Sequence, residues 1–339
     1  MQSKELRVEA TRGELVESVH HVSVAVVDAK GRLIAASGNP AVPAWWRSAA
    51  KPFQALPLLA DGAAERFGLD EEELALACGS HSSEAAHLAV VRRFMGKAGV
   101  TEAQLSCGTH TPLSPAVARA VTCGSATPTP AWSNCSGKHT GMLALARHHG
   151  WPLEGYHAAG HPVQKRIITE IARWSGVAAA DLELAVDGCT AVCFGLPVQA
   201  MALAYARLGA SEEPAARRVV AAMMAHPLMV AGTGRLCTDL MTAWPGGIVA
   251  KIGAEGVYGA AIPELELGVA LKVEDGDMAS SGRALLEVLR QLLSRVAPGR
   301  TAVLGAAALA PYGPQQIRNT RNMVTGELRA AGELRFFDG

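Results

Sequence analysis

Apolar positions along the chain follow two periods. Near the N-terminus they come in short runs: Val22-Ser23-Val24-Ala25-Val26-Val27 and Arg32-Leu33-Ile34-Ala35-Ala36 flank the turn Asp28-Ala29-Lys30-Gly31, which reads as a β-hairpin. The spacing then lengthens to that of helices over about 48–59, 82–96, 138–148, 163–174, 191–206 and 213–224. Glycine-punctuated apolar runs return at 247–252, 257–262 and 268–273, and a helical pattern follows over 280–296. Strands at both ends around a helical middle predict an α/β (α+β) fold. One sheet is built from roughly 1–60 and 240–339, and a helical part of roughly 61–239 is inserted into a single domain spanning 1–339.

Composition narrows the field. With 49% hydrophobic and 18% charged residues, 339 residues can bury a large core. Lys+Arg and Asp+Glu balance at 31 each, so the chain carries no basic footprint for nucleic acid or an anionic membrane. The opening Met1-Gln2-Ser3-Lys4-Glu5-Leu6 lacks the apolar run of a signal peptide, and a cytoplasmic protein is expected. The longest uncharged run, 188–206, is interrupted by Pro197 and Gln199 and reads as a buried helix rather than a membrane span. Seven cysteines, an odd number, argue against a disulfide framework and leave metal binding, catalysis or burial.

Four segments carry candidate chemistry. In Trp45-Trp46-Arg47-Ser48-Ala49-Ala50-Lys51-Pro52-Phe53, a serine three residues before a lysine places hydroxyl and amine on one helix face. A lysine of lowered pKa can activate a serine that is otherwise a poor nucleophile. Ser-x-x-Lys opens serine acyl-transfer enzymes, although Ser48 as a plain N-cap accounts for the same residues. Cys78-Gly79-Ser80-His81-Ser82-Ser83-Glu84 exposes hydroxyls at a turn; Ser80 is either a second catalytic hydroxyl or part of a cap. Lys251-Ile252-Gly253-Ala254-Glu255-Gly256 resembles the Lys-Thr-Gly element of penicillin-recognising enzymes, or is an ordinary strand exit. Finally, Cys135 and Cys189 sit in glycine-bearing turns and can clamp a soft metal such as zinc, with His139 the third ligand that chemistry alone nominates. Two buried cysteines explain that spacing as well.

Together, Arg47 to Gln54, Cys78 to Glu84, Asn134 to Met142 and Asp187 to Phe194 resemble the rhizobial-type L-asparaginase II family, over most of the chain. The resemblance implies a fold like the serine β-lactamases and glutaminases, a homodimer, and hydrolysis of L-asparagine to L-aspartate and ammonia. It implies two Ser-Lys pairs, Ser48 with Lys51 and Ser80 with Lys251, with Lys272 the alternative second lysine. It also implies one zinc per subunit held by Cys135, Cys189 and Lys138 in place of the histidine. His139 and Asp187, with Arg47 and Glu255, are then expected to contact the substrate. A glutaminase or another amide hydrolase on the same scaffold is the nearest rival, and a non-catalytic zinc-binding protein is the rival of a different class.

Overall fold

The computed structural model describes residues 4–337 and resolves into two compact units. Unit 1 comprises 1–44, 196–210 and 252–339; unit 2 comprises 45–195 and 211–251. The expected split into terminal sheet and helical middle therefore has different borders. The helix Lys51–Ala60 belongs to the helical unit, and the helix Val198–Ala210 belongs to the sheet unit.

The strands in chain order are β1 (Arg7–Arg12), β2 (Leu15–Asp28), β3 (Leu33–Ser37), β4 (Pro43–Trp45), β5 (Glu183–Val186), β6 (Val192–Pro197), β7 (Val249–Gly253), β8 (Val257–Ile262), β9 (Leu267–Val273), β10 (Gln315–Arg318), β11 (Val324–Ala331) and β12 (Arg335–Phe336). The main sheet has the order β10-β11-β1-β2-β9-β8-β7, with β3 joining β2 to β12. N-terminal and C-terminal strands thus share one sheet: Val24 stands opposite Leu271, and Val8 opposite Ala330.

The second half of β2, from Val22 to Asp28, is buried at every position, so both faces of the sheet are covered there. This explains why β2, β8 and β9 read as continuous apolar runs rather than alternating ones. The helices Val198–Ala210 and Met278–Val296 pack on these strands. The first of them lies so close that glycine is required beneath it. A Cβ on Gly259 would fall 2.1 Å from Tyr205 Cε2, and one on Gly268 would fall 2.0 Å from the Ala202 carbonyl oxygen.

Unit 2 is built of helices, among them Lys51–Ala60, Glu71–Ala77, Ala85–Ala98, Ser136–His149, Pro162–Ser175 and Pro214–Ala225. Ser136–His149 runs through its centre, buried from Ser136 to Ala146. Gly137 and Gly141 allow this: a Cβ on either would come within 3 Å of Leu76 or Leu58. Glu71–Ala77 is opened by a reciprocal capping box, in which Asp70 Oδ1 accepts from the Glu73 N–H at 3.1 Å and Glu73 Oε2 from the Asp70 N–H at 2.9 Å.

Two expected helices need correction. The stretch 191–206 is strand β6 followed by a helix that begins at Val198, because Pro197 cannot occupy a helix interior and divides the run. The helix expected from 82 begins at Ala85. Ser83 sits at φ 60°, and the Ser82 and Ser83 hydroxyls are tied to the carbonyls of Ala231 and Trp132. Strands β1, β4, β5 and β10 to β12 are additional to those expected. No helix among the described residues is long and apolar enough to cross a membrane.

Candidate active site

The site lies within unit 2, at the start of the helix Lys51–Ala60. A short 3-10 turn, Arg47–Ala50, leads into it, and Lys51 is its first residue. Neither segment is capped by a side chain, so Ser48 is not an N-cap. Pro52 suits the first turn, where its missing N–H leaves nothing unpaired.

Lys51 is fully buried and makes three hydrogen bonds: to the Gly79 carbonyl at 2.6 Å, to Ser80 Oγ at 2.9 Å and to the Asn134 carbonyl at 3.1 Å. The backbone N–H of Lys51 donates to the Ser48 carbonyl, but none of the three Nζ bonds goes to Ser48; the serine hydroxyl that Lys51 Nζ bonds is Ser80, across the fold. Lys251, also fully buried, reaches the same hydroxyl, with its Nζ 2.8 Å from Ser80 Oγ. One serine oxygen is shared by two lysine amines. Lys272, the alternative, lies in unit 1, half-buried, donating to the Glu255 and Val273 carbonyls at 2.7 and 2.5 Å. Glu255 stands in that same unit, in the turn after β7, at φ 58°.

Both site lysines are pushed toward neutrality. Burial drives Lys251 well below the usual amine range, and the Lys51 charge adds to the fall. Burial likewise lowers Lys51, partly resisted by the Cys135 sulfur. The partners of Lys51 sharpen this point. Two of them are carbonyls, which only accept. A neutral amine with two N–H bonds directs both at those carbonyls and leaves its lone pair facing Ser80 Oγ.

The segment carrying Ser80 is held rigidly. Ser80 N–H donates to the Val230 carbonyl at 2.8 Å, its own carbonyl accepts from Arg235 Nη1, and a Cβ on Gly79 would meet the Met229 carbonyl at 2.4 Å. His81 accepts the Ser83 N–H at Nδ1, 3.2 Å, so its proton sits on Nε2 and is directed at Ser136 Oγ, 2.8 Å away. Burial holds this imidazole well below its ordinary pKa, hence neutral.

A second cluster adjoins the first. Lys138 Nζ lies 3.0 Å from Cys189 Sγ. Cys189 is held as a thiolate, first by a hydrogen bond from the Cys135 thiol and then by the Lys138 charge, while Cys135 is driven up as the proton donor of the pair. Burial alone would lower Lys138, but the Cys189 and Cys135 sulfurs and Asp187 together outweigh it and favour the ammonium. His139 is fully buried, its Nδ1 2.6 Å from Tyr156 Oη, and burial lowers its pKa to about 4. His139 Nε2 is a buried nitrogen without a hydrogen-bond partner. The two sulfurs and the Lys138 amine are donors of the kind a soft divalent metal takes. Among the described residues no cluster of three or more His, Cys, Asp or Glu has metal-holding geometry, so such a site depends on the amine of Lys138.

Arg47 and Asp187 meet as an ion pair, Nε to Oδ1 at 2.8 Å. Arg47 (φ 50°), Ser83 (φ 60°) and Thr190 (φ 72°) hold left-handed backbones without being glycine. Three such residues in the segments that carry the site mark strain held in place by the surrounding packing. Sequence reasoning missed Arg235, Asn134 and Tyr156. Arg235 lies in Gly232-Thr233-Gly234-Arg235, too short a motif for a phosphate loop, and its contacts to Ser80 and Ala231 arise only on folding.

A family model described as L-asparaginase II matches residues 8–330. No curated protein matches the chain. Among solved structures, Mglu in its native form is 17% identical at a TM-score of 0.43, the match covering 81% of this chain and 60% of that one. This chain therefore spans less than two thirds of that protein's length. A β-lactamase from Mycobacterium bovis is 12% identical at a TM-score of 0.31, with 86% and 94% covered.

Proposed function

The chain belongs to the L-asparaginase II family, and from that premise we propose that it is an amidohydrolase converting L-asparagine to L-aspartate and ammonia through a serine acyl-enzyme. The observation that carries this reading is the Ser80 hydroxyl shared by two buried lysine amines. Both amines donate to Ser80 Oγ; with Lys51 neutral, its lone pair can take the Ser80 proton, which gives protons a path. Ser48 is half-buried, its carbonyl bonded by the Lys51 N–H, and its hydroxyl is the one a ligand can reach.

Ser48 Oγ attacks the side-chain amide carbon, its proton passing by way of Ser80 to Lys51. The C–N bond breaks, and ammonia leaves with the relayed proton. Water then attacks the ester carbonyl, gives a proton to the same relay, and releases aspartate and free Ser48. Asp187 and Arg47 present opposite charges for the α-ammonium and α-carboxylate of the amino acid. Zinc, held by Cys135, Cys189 and Lys138, would supply a Lewis-acidic anchor for one end of the substrate. Holding it would require Cys135 and Lys138 to give up their protons, so occupancy would fall with falling pH.

A second reading, in which Ser80 itself attacks, is favoured by Lys51 bonding Ser80 and not Ser48. Mass spectrometry of the enzyme quenched with a slow ester substrate separates the two by the peptide that carries the acyl group. Ammonia release from asparagine and glutamine, with metal content measured on the same sample, tests the function. No turnover of either amide by the folded protein would sink it.

A further inference from the structure

A cavity of about 310 Å³ lies in unit 1, away from the site, between the helix Met278–Val296 and the turns before β10. Its walls are mainly apolar, with Leu286, Leu304, Leu309 and Ala330 among them. Arg283 is also part of the wall, more than nine-tenths buried. Its guanidinium has only neutral partners: Nη2 donates to Gln315 Oε1 at 2.7 Å and Nη1 to the Pro311 carbonyl at 3.5 Å. Nε is buried with no partner at all. No carboxylate pairs with it among the described residues. The nearby Glu287 is taken by Arg290, 2.6 Å away.

A buried guanidinium without a directly bonded counter-ion is unfavourable; the Asp277 charge offsets only part of the burial, whereas every other strongly buried charged group among the described residues of this unit has a bonded partner of opposite charge. Glu9, for example, is bonded by both Arg7 and Arg329. A guanidinium has five N–H donors, so Nη1 and Nη2 each keep an N–H beyond the bonds named, and a carboxylate accepts from such groups in charge-assisted hydrogen bonds. A half-open, largely apolar cavity with a buried cationic side chain in its wall matches the design of small-ligand sites, both in volume and in the ratio of greasy wall to fixed polar groups. We propose that this cavity binds a small organic acid, its carboxylate on Arg283 and its aliphatic chain against Leu286, Leu304 and Leu309.

The reading does not depend on the amidohydrolase activity, and its test is binding. Octanoate is titrated into the full chain by calorimetry, with octanol as the neutral probe of equal length. Octanoate is expected to bind with one site and to raise the melting temperature, and octanol to bind at least about tenfold more weakly, the share of a charge-assisted hydrogen bond. In Arg283→Met, which removes the uncompensated charge while keeping the aliphatic stem, octanoate should lose that advantage and bind no better than octanol. Leu304→Trp fills the half-exposed wall and should abolish binding of both, which keeps the question decidable if Arg283→Met fails to fold. Absence of octanoate binding at millimolar concentration, equal binding of octanoate and octanol to the native chain, or unchanged octanoate binding in Leu304→Trp would overturn the proposal.

Discussion

Three lysines of the helical unit show how one residue type takes opposite states. Lys97 rests at the surface among carboxylates, its Nζ 2.8 Å from Glu73 and 3.2 Å from Asp70. Partial burial lowers its pKa, those charges outweigh it, and the ammonium is stabilised. Lys51 and Lys251 are fully buried beside hydroxyl and carbonyl oxygens, and their charge is disfavoured. The difference lies in what the fold places around an identical side chain. Lys97 braces the capping box of the helix Glu71–Ala77. Lys51 and Lys251 are left able to move protons.

The largest effect should come from removing an amine. Lys251→Met and Lys51→Met each replace a buried amine with an apolar chain of similar length and should lower kcat/KM by about 10²–10⁴-fold, the worth of positioned acid–base groups. Circular dichroism should show the fold retained; near-native turnover in either variant would end the proton-relay reading. Ser80→Ala is expected to fall in the same range, and combining it with Lys251→Met should add little further, because groups acting as a unit are not additive.

Next comes pH. The relay needs a neutral amine, so kcat/KM should fall as pH drops through the lowered pKa values of Lys51 and Lys251. Stability carries a matching sign. An unfolded lysine titrates near 10.4, above the folded value here, so the unfolded chain binds more protons between the two and stability rises with pH across that window. Lys97 runs the other way: its pKa is raised on folding, so its contribution is present below the unfolded value and is lost as pH rises through the folded one. Urea midpoints of Lys251→Met and Lys97→Met against pH should diverge in slope from the native chain in opposite senses.

Metal removal should act more weakly on the chemistry. Chelation, or Cys189→Ala, is expected to raise KM for asparagine with a smaller change in kcat, since the metal is assigned to anchoring. A collapse of kcat with KM unchanged would give the metal a direct part in the reaction. The smallest effect belongs to the surface cluster. Glu73→Gln loses charge pairing to two partly exposed cations and weakens the capping box, and should cost about 1–2 kcal/mol in urea unfolding without altering kcat/KM.

The sheet's core was legible because β8, β9 and the buried half of β2 are apolar at successive positions, and the long helices because their apolar stripes repeat at 3.6 residues. Strands β10 to β12 lie partly exposed with mixed sequences, so no period announced them. At the site, Ser80 and the Cys135/Cys189 turns stood out by composition, and the resemblance supplied Lys138. The partner of Lys51 did not stand out. Helix spacing favours Ser48 at three residues, whereas the bond forms to Ser80, twenty-nine residues away.

Local sequence determined which residues could carry chemistry, because hydroxyls, thiols and amines keep their identity wherever the chain goes. Tertiary structure alone decided which lysine bonds which serine, and that the charge of Lys51 and Lys251 is disfavoured while that of Lys97 is stabilised. Those outcomes depend on desolvation and on neighbours distant in sequence, and neither is written in the spacing of residues along a chain.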